Sequence, residues 1–327
     1  MKAGKSNFFL KSIWGMPPWS VILVVSFFVV VVLTYFGYRI FRTPENRSDL
    51  PSSTEVKAGE SKAQLTFTDG RAVNLFSSSH GELARQGNSQ ILQCGEGMIF
   101  YNTAKTSRVC AGYNIIATPR GGQYSVVLPD GTKVWLNSAS WLKYPVCFNA
   151  NERRVEVSGE AYFTITRDIK RPFVVTVRQG DTSSSGTEEI ETLESEFNVR
   201  AHSDGSICKT TLIEGDLKIR VGGSEVRLLP GQQYAVEKKK LSIVNGADPL
   251  EAFAWKNGLF FFEEAEIQDI MKEVERWYDV GVVYKQSTDH RFNARIPMQV
   301  DILTLLQLLE NNGWVHFELK GRLVVVR

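Results

Sequence analysis

Residues able to do chemistry are sparse in this chain. Its four histidines, His80, His202, His290 and His316, stand far apart, and each is expected at the surface rather than as a ligand. Four cysteines, Cys94, Cys110, Cys147 and Cys208, are spread over the second and later parts of the chain. No two of them have the Cys-x-x-Cys spacing of zinc or thioredoxin-like chemistry. In an oxidising compartment buried thiols and disulfides are both open, and four cysteines allow three full pairings. Glu156 and Glu160 fall on one face of one strand, whereas a glycosidase needs two carboxylates facing across a cleft. A polar sheet face is the simpler reading. The sequence has no Gly-x-Ser-x-Gly elbow, P-loop, His-Glu-x-x-His or dinucleotide fingerprint. The expectation is a protein that is not an enzyme, with no catalytic, cofactor-binding or metal-binding residues. One pair could serve recognition instead. Trp277 and Tyr278 close an amphipathic stripe, where core packing leads and a partner-contact edge is the alternative.

The elements that would position such groups are mostly strands. Val126 to Asn137 centres on Asp130-Gly131, a hairpin signal because Gly adopts positive φ freely and Asp tolerates it. Leu128, Val134 and Leu136 can share one sheet face. Val155, Val157, Ala161, Phe163 and Ile165 face one way, and Glu156, Ser158, Glu160, Tyr162 and Thr164 the other. Residues 63–76 repeat this unit: with Asp69-Gly70 set on Asp130-Gly131, Leu65, Phe67, Val73 and Leu75 fall on Val126, Leu128, Val134 and Leu136. Further strands are predicted at 90–101, 113–118, 173–177, 197–201 and 217–221. Residues 180–189 read as a polar loop and Lys238-Lys239-Lys240 as a solvated turn. Close-set alternating strands predict a mainly β fold of antiparallel stacked sheets or a sandwich.

From about residue 254 the period changes. Ile267, Ile270, Met271, Val274, Trp277 and Tyr278 form one helical stripe, and Asp301 opens a second helix with Ile302, Leu305, Leu306 and Leu309 inward. Strands at 258–262, 280–284, 292–296, 314–319 and 323–326 complete a β-α-β-β-α-β-β order, a small C-terminal α+β domain.

Residues 20–38 carry no charge. About 20 apolar residues span a bilayer core, and Trp14, Trp19, Tyr35 and Tyr38 suit its interfaces. An uncleaved transmembrane helix is expected. Residues 39–62 read as a polar linker. Lysines before the span and arginines after it nearly balance, so charge does not orient it. The net charge of +2 gives no basic stripe for nucleic acid.

The run Leu128-Pro-Asp-Gly-Thr-Lys-Val-Trp-Leu-Asn137, then Arg153-x-Val-Glu-Val-Ser-Gly-Glu-Ala-Tyr-Phe163, Pro172-Phe-Val-Val175, Glu196-Phe-Asn-Val199, Thr210 to Ile219 and Leu228 to Tyr234 resembles the FecR family. These are periplasmic anti-sigma factors or sigma regulators, here most similar to the Bacteroidetes type, and the resemblance covers residues 60–327. Its structural motif positions are Asp130, Gly131, Trp135, Leu136, Asn137, Gly159, Glu160, Phe163, Phe197, Asn198, Gly215 and Gly231. Where the family has Leu-Gly-Thr before the Phe-Asn-Val strand, this chain has Leu193-Glu194-Ser195-Glu196. The resemblance implies a cytoplasmic stub (1–19), the transmembrane helix (20–38), the linker (39–62), a periplasmic β domain (63–245, core motif 123–221) and a signalling-type domain (250–327). That last domain is similar in plan to the short domains of secretins and TonB-dependent transducers. The implied partners are an outer-membrane TonB-dependent transducer and an extracytoplasmic-function sigma factor, in an inner-membrane protein with its N-terminus in the cytoplasm. An anchored periplasmic carbohydrate-binding or hydrolytic protein is the alternative. Family members that hold a sigma factor carry a helical domain before the span. Met1 to Trp19 is too short to fold so, and the expectation is that this chain alone does not sequester one.

Overall fold

A computed structural model gives the fold, described here for residues 56–76, 79–86, 89–95, 97–103, 112–179, 188–204, 207–237, 240–286, 289–311 and 313–327. The expected transmembrane helix and the Lys238-Lys239 turn lie outside them, as does Cys110. Among the described residues no helix is long and apolar enough to cross a membrane.

The strands of the first part are β1 (Glu60–Thr66), β2 (Ala72–Phe76), β3 (Gly81–Gln86), β4 (Ser89–Cys94), β5 (Met98–Thr103) and β6 (Tyr113–Thr118). There follow β7 (Gly122–Val127), β8 (Lys133–Leu136), β9 (Ser140–Pro145), β10 (Arg153–Thr164), β11 (Phe173–Val177) and β12 (Glu188–Thr192). The rest are β13 (Ser195–Ala201), β14 (Cys208–Gly215), β15 (Leu217–Val221), β16 (Ser224–Leu228), β17 (Gln232–Glu237) and β18 (Lys240–Asn245). One sheet runs β2-β1-β6-β9-β10-β11-β12-β15-β16. The other runs β3-β4-β5-β7-β8-β10-β13-β14-β17-β18. Their inner faces share one core that includes Leu65, Val126, Leu142, Val157, Phe163, Val175, Ile190 and Leu212. The fold is thus mainly β, as the alternation predicts. The stretch predicted as one strand at 90–101 is two, β4 and β5, separated by a turn containing Gly95 and Gly97.

Strand β10 belongs to both sheets. Its first half pairs with β9 and β11, and from Gly159 on it pairs with β13 and β8. Gly159 has φ +88°, and a Cβ there would lie 2.3 Å from Ser140 Oγ and 2.6 Å from Ser140 Cα. Only glycine fits this crossing point.

The two related hairpins have the same register, Leu65 opposite Val73 and Val126 opposite Val134. Both close through the same backbone bonds, Phe67 N–H to Arg71 O (2.8 Å) and Leu128 N–H to Thr132 O (2.8 Å). They differ in what holds the Asp. Asp69 binds the exposed Arg71, whereas Asp130 receives Nη1 of the fully buried Arg153 at 2.9 Å. Arg153 also donates to the carbonyls of Arg171 (3.0 Å), Thr166 (2.6 Å) and Leu193 (3.2 Å).

At one end of the core the Glu188 carboxyl is buried, with Thr210 Oγ1 donating to it at 3.1 Å and the Cys208 thiol 3.6 Å away. Burial pushes its pKa up to about 7. The folded state therefore holds a proton that the unfolded chain releases near the ordinary Glu value. Stability from this group is full at low pH and is lost as pH rises toward about 7. Glu188→Gln is expected to flatten that slope and raise stability at pH 8 by on the order of 2 kcal/mol. Urea melts of both proteins at pH 5 and pH 8 check this; equal pH slopes would refute it.

The C-terminal part opens with α1 (Pro249–Phe253), capped by Asp248, and a single 3-10 turn (Trp255–Asn257), neither expected from the periodicity. Then follow β19 (Leu259–Glu266), α2 (Ile267–Tyr278), β20 (Gly281–Tyr284), β21 (Arg291–Pro297), α3 (Ile302–Glu310), β22 (Phe317–Lys320) and β23 (Leu323–Val326). This is the predicted small α+β region, with its order as read. Its strands split into a β19-β21 pair and a β20-β23-β22 sheet, with β20 parallel to β23. Ile267, Ile270, Met271, Val274 and the α3 leucines fill its core.

Of the expectations about side chains, core packing of Trp277 and Tyr278 holds and the surface placement of His202 does not. Trp277 and Tyr278 are buried, their Nε1–H and O–H donating to the Met298 and Val300 carbonyls, each at 2.7 Å. In this conformation they offer no contact edge, because both polar tips are satisfied inside. His202, expected at the surface, is 3% exposed. It follows the last residue of β13, beneath α2, where no sequence periodicity marks burial.

Candidate functional site

The outer face of the second sheet is the site. Cross-strand partners there form two rows. One is Trp135, Tyr162, Asn198, Thr211 and Gln233; the other is Glu160, Arg200 and Lys209. Alternation points these side chains away from the sandwich core. A polar, solvated face is the expectation, but Tyr162, Glu160 and Asn198 are buried, because the C-terminal part packs on them.

Each contact is specific. Glu160 sits just after the Gly159 crossing, and its carboxylate accepts from Asn137 Nδ2 (2.8 Å) and Asn198 Nδ2 (3.0 Å). The Asn198 carbonyl in turn takes the indole N–H of Trp255 at 3.3 Å. Lys256 places its ammonium 4.2 Å from the Trp135 ring centroid and 4.3 Å from that of Tyr162. Burial lowers its pKa, partly countered by Glu196, which accepts the Tyr162 hydroxyl at 2.9 Å. Phe253 packs edge-on to Tyr162, and Lys209 pairs with Glu251 at 2.9 Å. Residues 251–256 are thus read by Trp135, Tyr162, Asn198 and Lys209.

Helix α2 closes the other side. Glu273 pairs with Arg200 at 2.6 Å, and Arg276 pairs with Asp204. The Arg276 carbonyl accepts Gly121 N–H at 2.7 Å. His202 lies among these groups, hydrogen-bonded to the Ala139 backbone, and burial, with Arg276 and Arg200 nearby, holds its pKa well below the ordinary value. Three buried nitrogens, Arg200 Nε, His202 Nε2 and Arg276 Nη2, have no hydrogen-bond partner among the described residues. The entering chain joins here too: Val56 is in the C-terminal core, and a Cβ on Gly59 would lie 2.6 Å from the Trp277 ring.

The motif positions therefore separate by role. Trp135, Asn137, Glu160 and Asn198 seat the C-terminal part. Leu136, Phe163 and Phe197 lie in the sandwich core, the two phenylalanine rings stacked at 4.9 Å. Asp130, Gly131, Gly159, Gly215 and Gly231 set turns and the crossing, the four glycines all at positive φ. Sequence reasoning missed Arg200, Lys209, Glu273 and Arg276. Arg200 and Lys209 share the outward register of Glu160, and that was the available signal. Cys94 and Cys208 are free thiols and Cys147 is disulfide-bonded. Among the described residues no cluster of three His, Cys, Asp or Glu is placed to hold a metal ion.

Asn198→Ala is expected to cost about 1–3 kcal/mol, because it strips a donor from the buried Glu160 and leaves the Trp255 N–H unpaired. Urea denaturation followed by tryptophan fluorescence checks it; a change within a few tenths of a kcal/mol would refute it.

The fold is thus a two-sheet sandwich whose motif residues seat an appended α+β part. The chain belongs to the FecR family: residues 114–218 match the FecR protein family and residues 259–326 the FecR C-terminal family. Crystal structures at 1.65 Å and 2.50 Å of a Parabacteroides distasonis protein, provisionally assigned as an anti-sigma factor, are similar in fold. Each shares 25% sequence identity and a TM-score of 0.59 over 65% of this chain and 98% of that one. No curated protein matches the chain.

Proposed function

We propose that this protein is a sigma regulator of the anti-sigma type that relays the state of an outer-membrane TonB-dependent transducer to an extracytoplasmic-function sigma factor by protein contact. The observation that carries this reading is the pairing, in one chain, of the FecR region and its C-terminal region. Similarity to a structure assigned as an anti-sigma factor supports it. In this reading residues 20–38 anchor the chain in the inner membrane with the N-terminus in the cytoplasm. The part from residue 63 on lies in the periplasm, and residues 250–327 meet the transducer's signalling domain. The sigma factor is reached directly or through a separate cytoplasmic element.

Two measurements test the proposal. Alkaline phosphatase fused after Arg327 is expected to be active; an inactive fusion with an active cytoplasmic reporter at the same point would overturn the topology. The full chain, titrated with the signalling domain of its cognate TonB-dependent transducer, is expected to bind. Loss of binding is expected on substituting exposed residues of 281–327. Binding unaffected there but abolished by changes on the sandwich would move the contact elsewhere.

A further inference from the structure

We propose that the charged cluster between the sandwich and α2 is a releasable latch, and that protonation of His202 opens it, lifting α2 and the 249–257 segment off the motif face while the sandwich stays folded.

The inference does not depend on the partner reading above. It rests on the composition of the junction. Among the described residues, buried charge elsewhere is a single ion pair, Arg153–Asp130, or a lone carboxyl, Glu188, each within the sandwich. Here Arg200 from β13, Arg276 from α2 and Asp204 after β13 surround one buried imidazole, and Glu273 on α2 and Glu160 on β10 face the two arginines. The Ala139 backbone, at φ +56°, borders the ring. Among the described residues three nitrogens of the junction have no hydrogen-bond partner, which weakens it against opening to water.

A proton on His202 would add a third cation beside two arginines in a site largely closed to water. Burial, with Arg276 and Arg200 beside it, keeps the docked imidazole neutral. Once released it regains an ordinary histidine pKa of about 6.5. The docked state thus binds fewer protons than the released state, and docking weakens as pH falls below about 6.5. Each further unit shifts the equilibrium about tenfold. Glu273, raised by burial, acts in the opposite sense as pH falls toward its own range. The window is therefore pH 7.5 to 5.5, in which Glu188, taking up its proton, strengthens the sandwich as the junction weakens.

Hydrogen exchange of the full chain, corrected for intrinsic rates, reads the latch. Between pH 7.5 and 5.5, protection in residues 249–257 and 267–278 and at Gly121 is expected to fall about tenfold, while that of β11 and β13 does not fall, because Glu188 takes up its proton in the same range and strengthens the sandwich. His202→Gln and His202→Phe are each expected to hold protection constant within twofold. The proposal is overturned by a wild-type change under twofold, by equal loss across the sandwich, or by the tenfold change persisting in a folded His202 variant. Should neither variant fold, the wild-type contrast between α2 and the sandwich decides.

Discussion

Replacing Arg153 by alanine is expected to destabilise the folded chain by about 3–5 kcal/mol, the range for removing one partner of a buried ion pair. The guanidinium is fully buried and neutralises Asp130, whose side chain is 5% exposed. It also satisfies the carbonyls of Thr166, Arg171 and Leu193, which belong to two separate connections. Alanine would leave the carboxylate and three carbonyls without these donors, and would open a hole beside Phe173, whose ring lies 5.3 Å from the Arg153 guanidinium carbon. Lysine cannot reproduce the planar fork of donors and is expected to rescue little. Urea denaturation measures the effect. A loss under 1 kcal/mol would show that the connections hold themselves, and that Arg153 is a passenger.

Gly159→Ala is the second large effect, roughly 2–4 kcal/mol from the left-handed backbone and the forced clash together. The added methyl meets Ser140 Cα at 2.6 Å, so backbone has to move and a rotamer change cannot relieve it. Ser140 Oγ accepts the Glu160 N–H at 2.8 Å, and moving it displaces the residue that anchors the motif face. The expected signature is therefore double: a lower urea midpoint and altered fluorescence from Trp255 and Trp135. Ser140→Gly in the same chain would restore little, because the clash includes Cα. Full rescue by that second substitution would refute the account.

Much of this fold was legible in the sequence because its signals are local. Asp-Gly turns, period-two alternation and the helical stripe of 267–278 each depend on neighbours within a few residues. The repeat of the 63–76 hairpin at 126–137 was readable for the same reason. Long-range pairing was not. Nothing near Asp130 names Arg153 as its partner, and the sandwich splits β10 between two sheets on the strength of one glycine. The site was half legible. Trp135, Asn137, Glu160 and Asn198 were marked by the family motif, but their outward register reads as solvent exposure. Only the C-terminal part, folded back across them, turns that face into an interior. The same covering explains the burial of His202, whereas that of Trp277 and Tyr278 was legible in the helical stripe. Residues 251–256 escaped notice because a short helix and a single 3-10 turn are too brief to show a period.

The contact between Gly59 and the Trp277 ring shortens the molecule in a way its chain order hides. More than two hundred residues separate them in sequence, and every strand of the sandwich lies between. In space, Val56 shares a core with α2, Gly59 lies against the Trp277 ring, and Glu60 N–H bonds Gly121 O next to the Gly121 N–H to Arg276 bond. A load placed on the C-terminal part therefore reaches the start of β1 through one indole and two glycines. Most of the sandwich lies off this route, which uses only the start of β1 and the turn before β7.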